Sequence, residues 1–291
     1  MYTADAGAVS VPVPFVTKLH WHDAVEILYF RKGTFQLSVD TRQYTICGET
    51  FCFIESERLH SIRSEADYLE HALLFDPSFL SASHPDEADS SLLDPLLHRQ
   101  LTFPLLLSCD SPAFEEIRSE YQKLLQIFNT FGVANEDQVT LSAPASQLRV
   151  RAGLLNILAA LYEQDLLQVS SGKADPRIHA LKEVMLYIQE HFDAKIYIRD
   201  LAQIMNMNEQ YFCRYFHKAT GKTAVSDINE IRIRRAMLIL SRSPDKYVSI
   251  TEAASLCGFG NMGYFIESFR HLTGMSPSDY RKRILAQGNA E

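Results

Sequence analysis

Residues 211–221 read YFCRYFHKATG, and residues 264–274 read YFIESFRHLTG. The two stretches share a Tyr-Phe pair, a Phe four residues after that pair and a closing Thr-Gly, all with a shift of 53 residues. Just upstream, the apolar residues of 198–207 recur in 250–259 with a shift of 52. Each copy predicts a short helix, a tight turn and a second helix, and the second copy carries one extra residue in its turn.

The repeated unit has the outline of a helix-turn-helix, which is a DNA-reading element. Gly221 and Gly274 are expected to end the second helix of each copy in a left-handed cap. Thr223 and Ser276 are expected to cap the helices that follow. The pattern predicts an all-α C-terminal domain with helices at 178–192, 198–205, 209–220, 226–240, 250–256, 262–273 and 278–285.

Length and charge favour two domains. The chain has 291 residues, 46% of them hydrophobic and 22% charged, which is typical of a soluble globular protein. Residues 176–283 hold sixteen Lys and Arg against eleven Asp and Glu, whereas the remainder holds twelve against twenty-five. A basic C-terminal part on an acidic N-terminal part fits a DNA-binding domain attached to a sensing domain. The predicted bounds are 1–169, a polar linker at 170–176, and 177–285.

The cellular setting follows from what the sequence lacks. The N-terminal residues do not resemble a targeting segment, and no apolar stretch is long enough to span a bilayer, so neither a targeting segment nor a membrane partner is expected. The five cysteines are odd in number and form no Cys-x-x-Cys pair. A disulfide framework is therefore disfavoured, and a cytoplasmic location is expected.

The N-terminal part predicts β structure followed by helices. Short strands at 22–30, 34–39, 44–46, 50–54 and 69–75 suggest an antiparallel barrel or jelly roll. One helix is expected from Pro112, with Ser111 as its N-cap, and another over 144–168. The second helix is apolar on more than one stripe, which favours pairing with a second copy of the chain; the alternative is packing between barrel and linker.

The last hundred residues resemble the AraC/XylS family of bacterial transcription regulators. The matching text is DLA at 200–202, YFxRxF at 211–216, AAxxCGF at 253–259, YFxxxFR at 264–270 and GxSPxxYR at 274–281. The resemblance implies two helix-turn-helix subdomains joined by a long helix at 229–240. Each subdomain would offer one recognition helix to successive major grooves. With the barrel, the fold class is α+β multidomain.

By register, the first recognition helix would present these residues to DNA: Asn208, Glu209, Gln210, Cys213, Arg214 and Lys218. Arg214 can pair with guanine and Gln210 with adenine, while Lys218 suits a phosphate. The second helix would present Asn261, Met262, Ser268 and Arg270. Glu267 departs from the family pattern, where Arg or Lys is common, and predicts a helix that adds less sequence information. Cys213 could be a redox sensor, but a small packing residue is the preferred interpretation.

The N-terminal part also resembles the cupin barrel of this family. HWHxxxExxxxxxG at 20–33 follows the first cupin motif, and His60 stands where the second motif supplies a histidine. In metal-binding cupins such residues hold a divalent ion. Because the Pro-x-Gly of the second motif is missing at 55–59, no metal and no other cofactor are expected. The preferred interpretation is an effector pocket lined by His20, His22, Glu26, Tyr29 and His60; ordinary packing is its alternative.

The sequence thus predicts a sequence-specific, DNA-binding transcription regulator controlled by a small-molecule effector in the barrel. Expected partners are double-stranded DNA, the effector, RNA polymerase and a second copy of the chain, and activation is the working expectation. Alternatives are a cupin enzyme with a DNA-binding appendage, and a regulator that answers only to a partner protein. No catalytic signature is present, so an enzyme is not expected.

Overall fold

The computed structural model describes residues 3–5, 15–64, 68–81, 86–135, 138–170, 175–241 and 248–288. The chain forms two compact units, Met1–Lys173 and Ala174–Glu291, each with its own hydrophobic core. The predicted linker at 170–176 lies in part outside the described residues.

Antiparallel strands build the N-terminal unit. They are β1 (Thr3–Asp5), β2 (Phe15–Val16), β3 (Val25–Lys32), β4 (Thr34–Val39), β5 (Arg42–Cys47), β6 (Thr50–Ile54), β7 (His60–Ser64), β8 (Leu69–Phe75), β9 (Leu101–Thr102), β10 (Leu106–Ser108), β11 (Val133–Asn135), β12 (Gln138–Thr140) and β13 (Gln168–Val169). The larger sheet has the order β10-β6-β3-β8-β1-β12-β11 and the smaller one β2-β7-β4-β5, with β13 paired to β9. The strands expected at 34–39, 50–54 and 69–75 are confirmed; β3 begins three residues later than expected, and β7 was not predicted.

The central strand β3 is buried on both faces, and side-chain alternation divides its residues between two cores. Leu28 and Phe30 point between the sheets, where they meet Phe35 and Leu37 of β4. Val25, Ile27 and Tyr29 of β3 join a second core on the other side of the larger sheet, together with the helices. Glu26 shares the alternation of Leu28 and therefore lies on the face between the sheets.

Helices cover the outer face of the larger sheet. They are α1 (Asp94–Leu97), α2 (Phe114–Phe131) and α3 (Pro144–Glu163). The start expected for α2 is wrong by two residues. The Phe114 amide donates to the carbonyl of Ser111, so Ser111 and Pro112 form a turn that precedes the helix. Tyr121 of α2 is fully buried, and its hydroxyl lies 3.2 Å from the carbonyl oxygens of Ile27 and His71.

Neighbouring segments of the same chain cover much of α3. Gly153 packs so tightly against α2 that a Cβ there would lie 2.6 Å from Leu124 Cδ2. On another flank, Arg151 donates to the carbonyls of Leu80 and Ser81. The helix ends at Glu163, earlier than the expected 168. Packing within the unit thus accounts for a large part of its apolar surface.

The C-terminal unit is all helical over its described residues. Its helices are α4 (Pro176–Glu190), α5 (Ile198–Ile204), α6 (Glu209–Thr220), α7 (Ala224–Ser241), α8 (Ile250–Leu256), α9 (Met262–Thr273) and α10 (Pro277–Gly288). The α+β fold class, a β-rich N-terminal domain and a helical C-terminal domain, is confirmed. Among the described residues, no helix combines the length and the hydrophobicity that crossing a bilayer requires.

The structure reproduces the repeat in detail. Helices α5 and α8 begin 52 residues apart, whereas α6 and α9 begin 53 apart, so the extra residue lies in the second turn. Gly221 and Gly274 end α6 and α9 in the left-handed conformation, both with φ 76°. As expected, the hydroxyls of Thr223 and Ser276 cap the next helices. The predicted turn and cap chemistry is confirmed in both copies.

The turn of the second copy is docked against the connection that leads into the first copy. Gly258 has φ +78°, and a Cβ there would lie 2.7 Å from the carbonyl oxygens of both Phe192 and Asp193, which precede α5. From α7, Arg232 donates to the carbonyls of Phe192 and Ala194, each at 2.7 Å. Its guanidinium also lies 5.6 Å from the ring centre of Phe259. These contacts hold the two helix-turn-helix copies together.

Candidate DNA interface and histidine cluster

The first recognition helix, α6, has one buried and one exposed face. Phe212 and Phe216 are fully buried, as their four-residue spacing predicts. Asn208 is the N-cap, and its side-chain oxygen accepts from the Tyr211 amide at 2.8 Å. The exposed residues include the predicted DNA contacts Asn208, Glu209, Gln210, Cys213, Arg214 and Lys218. Within the described residues, Arg214 forms no ion pair with a carboxylate.

The second recognition helix, α9, repeats the buried face but not the exposed one. Asn261 caps it through the Tyr264 amide at 2.9 Å, and Arg270 is exposed. Met262 is half-buried and packs against the core of this subdomain. Ser268 lies two residues before Arg270, about 200° round the helix axis, in a groove of about 460 Å³ between α9 and α7. The structure therefore separates Ser268 from Arg270.

A further basic group lies at the start of α5. The exposed ring of Tyr197 has the Lys195 ammonium 4.8 Å and the Arg199 guanidinium 4.7 Å from its centre. Sequence reasoning did not select these residues. The alternation of basic and aromatic residues in Lys-Ile-Tyr-Ile-Arg at 195–199 was the available signal.

The histidine cluster consists of His20, His22, Glu26 and His60, which three segments bring to one end of the two sheets. His20 and His22 lie in the segment before β3, Glu26 lies on β3, and His60 begins β7. The backbones of His20 and His60 exchange both N–H···O bonds, at 3.0 and 2.9 Å. This bridge fixes the segment against β7, so residues 40 apart in sequence become neighbours.

Within the cluster, one ring nitrogen from each histidine lies within 4.8 Å of the others. Glu26 Oε2 lies 3.0 Å from His60 Nε2 and 3.4 Å from His22 Nε2. His60 is fully buried and Glu26 is 7% exposed, whereas His20 and His22 are half-buried. The cluster thus extends from the buried space between the sheets toward the surface.

Electrostatics favour a carboxylate anion at Glu26. Burial opposes its charge, but His22 and His60, when their rings are protonated, outweigh that effect through hydrogen bonding and charge and lower the pKa of Glu26 to about 2. Burial likewise disfavours charge on His22, but Glu26 outweighs it and raises the pKa of His22. Burial, reinforced by the charge of His60, lowers the pKa of His20.

The outer nitrogen of every cluster imidazole is held by the backbone. Nδ1 of His20, His22 and His60 lies 2.7, 2.9 and 2.8 Å from the carbonyl oxygens of Lys18, Ala24 and Arg58. A carbonyl can only accept, so each Nδ1 carries the proton. Each neutral ring therefore presents the lone pair of Nε2.

Tyr29, the fifth predicted effector residue, does not join the cluster. It faces the helices, its ring stacked on Phe51 at 4.3 Å and edge-on to Tyr121 at 5.7 Å. Its hydroxyl donates to Glu49 at 3.2 Å. A separate cavity, lined in part by Glu55, Asp76 and Arg99, measures about 180 Å³, below the ~300 Å³ at which pockets for small organic ligands begin. That cavity is therefore a poor candidate for the ligand site.

Comparison with known proteins adds two matching families, one for each unit. The AraC-like ligand binding domain matches residues 14–122, and a helix-turn-helix domain matches residues 201–283. Both matches fall on the units in which the structure places the corresponding elements.

Relatives span nearly the whole chain. The uncharacterized HTH-type transcriptional regulator YdeC of Bacillus subtilis is 24% identical, over 91% of this chain and 86% of that protein. The HTH-type transcriptional activator RhaS of Citrobacter koseri is 24% identical, over 90% and 87%. Among solved structures, the DNA-binding domain of AdpA in complex with a target DNA is 29% identical, over 37% of this chain and 95% of that chain, with a TM-score of 0.34.

Proposed function

Because the chain belongs to the AraC/XylS family of transcription regulators, with a helix-turn-helix DNA-binding domain and a ligand-binding domain, we propose that α6 and α9 read its target DNA unequally. A ligand at the histidine cluster controls that reading. Helix α6 discriminates between bases, and α9 positions the protein on the phosphate backbone.

The base-reading role of α6 rests on its exposed face. Arg214 has the fork of donors that matches O6 and N7 of guanine, and Gln210, one turn earlier, can pair with adenine. Since no carboxylate of the described residues holds Arg214, its guanidinium need not give up an ion pair to reach DNA. Lys218 lies one turn further along, where its charge suits a phosphate. This exposed arginine carries the proposal.

The positioning role of α9 rests on the residues that replace those of α6. Gly263 occupies the repeat position of Gln210, and Glu267 that of Arg214. A glycine has no side chain with which to read a base, and a carboxylate is repelled by phosphates. Arg270 and the amide nitrogen of Asn261 remain for backbone contacts. We assign no contact to Met262, which packs against the core of its subdomain, or to Ser268, which lies in the groove between α9 and α7.

The ligand-binding role belongs to the cluster. Ligand binding can change DNA binding only if the ligand has different affinities for two arrangements of the protein. The cluster suits that task because it joins the segment before β3 to β3 and β7, and a ligand bridging these segments would favour one arrangement of them.

We further propose that the regulator works as a cytoplasmic homodimer, without catalytic activity, and activates transcription through RNA polymerase. Leu148 and Tyr162 support the dimer, because both are apolar side chains of α3 that remain 66% and 53% exposed. RhaS, a relative of similar length, is named an activator. The proposed bounds are 1–169 for the ligand-binding domain and 177–285 for the DNA-binding domain, joined by 170–176.

The decisive test compares Arg214→Ala with Lys218→Ala. A target duplex is first selected from random DNA with the intact protein; fluorescence anisotropy at one fixed salt concentration then gives the affinity for that duplex and a scrambled one. Losing a bidentate base contact costs about 1–3 kcal/mol, so Arg214→Ala should lower the preference for the target by roughly 5- to 150-fold. Lys218→Ala should weaken both affinities equally. An unchanged preference in Arg214→Ala would refute the reading role of α6.

A further inference from the structure

The histidine cluster places electron lone pairs against one another. Because Nδ1 of His22 and His60 donates to the backbone, each neutral ring directs the lone pair of Nε2 inward. Opposite them stands Glu26, a carboxylate whose oxygens only accept. His60 Nε2 and Glu26 Oε2 lie 3.0 Å apart, yet neither atom, nor His22 Nε2, has a well-aligned hydrogen bond. Buried lone pairs this close repel unless a positive charge stands between them.

Two kinds of positive charge could stand there. One is a proton on His60 or His22, which would make an imidazolium paired with Glu26. A single proton satisfies one ring nitrogen, however. It leaves the lone pairs of the other two ring nitrogens without a positive charge of their own. Protonating all three rings would gather like charges within 4.8 Å. The other is a metal cation, which accepts all four lone pairs at once.

We propose that His20, His22, His60 and Glu26 bind a divalent first-row transition-metal ion. Three imidazoles with one carboxylate form a donor set suited to ions such as Zn²⁺, Fe²⁺ or Co²⁺ and unsuited to Mg²⁺. Each imidazole already has the outer-nitrogen bond that orients a metal-ligating histidine and fixes its tautomer. The residues thus fit the ion in chemistry, protonation and orientation.

The distances among the three imidazoles require little movement. Ligand atoms about 2.0–2.2 Å from an ion lie at most roughly 4.3 Å from one another, and the three ring nitrogens lie within 4.8 Å. Small rotations of the two half-buried rings, His20 and His22, would close that difference. The buried members, His60 and Glu26, already lie 3.0 Å apart.

The ion would provide the proposed ligand site with a group that binds the ligand directly. Only this ligand-binding role of the ion rests on the proposed function. Four protein donors leave room in the coordination shell of an octahedral ion on the solvent side, beside His20 and His22. A small molecule with a carboxylate or another anionic oxygen donor is the ligand class that such a position takes. The ion would also tie the segment before β3 to β3 and β7.

The test measures metal directly on the intact chain. After dialysis against a chelator, the protein is titrated with Co²⁺, and binding is followed by visible absorption and by quenching of Trp21. This residue is the one tryptophan of the chain and stands between His20 and His22. Elemental analysis after Zn²⁺ loading and gel filtration gives the stoichiometry. Mg²⁺ serves as the negative control.

The variants are His22→Gln and Glu26→Gln, with His98→Gln as the matched control. His98 is an exposed histidine of the same unit whose Nδ1 also contacts a backbone carbonyl, that of Asp94, at 2.8 Å. The expected result is one Zn²⁺ or Co²⁺ per chain in the unchanged protein and in His98→Gln. Binding should weaken at least 10-fold in both cluster variants, which keep a folded circular-dichroism spectrum.

Two results would overturn the proposal: less than 0.1 equivalent bound by the folded, unchanged chain, or equal binding by the unchanged chain and His22→Gln. Either would leave the cluster as a proton-held imidazolium–carboxylate group. Neither result would contradict the proposed base reading by α6, because Arg214→Ala and Lys218→Ala are compared in DNA-binding measurements without added metal. Loss of the target preference with metal binding intact would instead overturn the function and leave the metal site.

Discussion

Replacing Gly258 by alanine should destabilise the DNA-binding domain more than the same change at another left-handed glycine. The new Cβ would lie 2.7 Å from two carbonyl oxygens, those of Phe192 and Asp193, and 2.9 Å from the Asp193 carbonyl carbon. These atoms belong to backbone and cannot swing away as the end of a flexible side chain can. The Phe192 carbonyl also accepts from Arg232 at 2.7 Å, so moving it disturbs that bond.

The magnitude has two parts. An alanine held in the left-handed conformation costs about 1–2 kcal/mol. Forcing extra volume into a packed contact costs about 1–3 kcal/mol more. Gly258→Ala should therefore lower the free energy of unfolding by about 2–5 kcal/mol. Gly274→Ala is the matched control, because Gly274 has φ +76° but nothing within 4 Å of its would-be Cβ. Gly274→Ala should therefore lose only about 1–2 kcal/mol, the cost of the left-handed conformation.

Urea denaturation of the full chain can separate the two units. Trp21 lies in the N-terminal unit and reports its unfolding by fluorescence, whereas far-UV ellipticity also follows the helices of the C-terminal unit. Gly258→Ala should shift the ellipticity transition and leave the fluorescence transition in place. Linear extrapolation gives the free-energy difference from Gly274→Ala.

A third variant separates conformation from contact. Asn206 occupies the repeat position of Gly258 and adopts φ 52° without being glycine. Asparagine tolerates this conformation better than alanine. Gly258→Asn should therefore recover part of the stability lost to the left-handed conformation, but should still lose the stability that depends on the close contact with Phe192 and Asp193. Equal losses for Gly258→Ala and Gly274→Ala would refute the argument, because the contact with Phe192 and Asp193 would then contribute nothing.

Two smaller changes test the caps and the dimer. Asn208→Ala removes the acceptor for the Tyr211 amide and should lower the free energy of unfolding by about 1 kcal/mol. Asn208→Ser should retain most of the stability that the cap contributes. Equal losses in the two variants would contradict the capping role. Leu148→Asp should shift a dimer toward monomer in sedimentation velocity, with Val16→Asp, a 54% exposed apolar residue, as control; a monomeric unchanged protein would contradict the dimer.

The repeat made the C-terminal unit predictable because its signals are local. Helix ends depend on glycine, asparagine, serine and threonine at fixed offsets, and those residues stand in both copies. Even the extra turn residue follows from the difference between the two shifts. The docking of Gly258 on Phe192 and Asp193 was not predictable, because contacts between residues 66 and 65 positions apart leave no mark in the local pattern.

The N-terminal unit was harder because burial there does not follow polarity. Strand β7 was missed since it reads His-Ser-Ile-Arg-Ser, in which polar His60 and Ser64 are the buried residues alongside Ile62. The π-helical turn at Asp89–Leu93 and α1 lie in a stretch whose composition suggested irregular structure. Propensity fails where tertiary packing decides.

The sequence motif predicts all four residues of the cluster, but Tyr29 was expected to lie with them. Parity along β3 separates Tyr29 from Glu26, since residues three apart on a strand face opposite ways. That signal was present in the sequence. The carbonyl contacts of the three Nδ1 atoms were not, because they depend on backbone geometry rather than on residue type. Because of these contacts, we interpret the cluster as a proposed metal site, whereas the sequence alone predicted a pocket for an organic effector.

The unequal exposed faces of α6 and α9 can be reconciled with the docking of the two subdomains. Arg232 of α7 reaches the connection before α5 and also contacts Phe259, and Asn229 of α7 donates to the hydroxyl of Tyr264 at 2.5 Å. Contacts of this kind fix α9 relative to the first subdomain. A positioning contact by Arg270 then helps to orient α6, because the subdomains cannot adjust independently. One base-reading helix therefore suffices, provided that the second is rigidly attached, and losing the Gly258 contact should weaken DNA binding even though Gly258 lies outside both recognition helices.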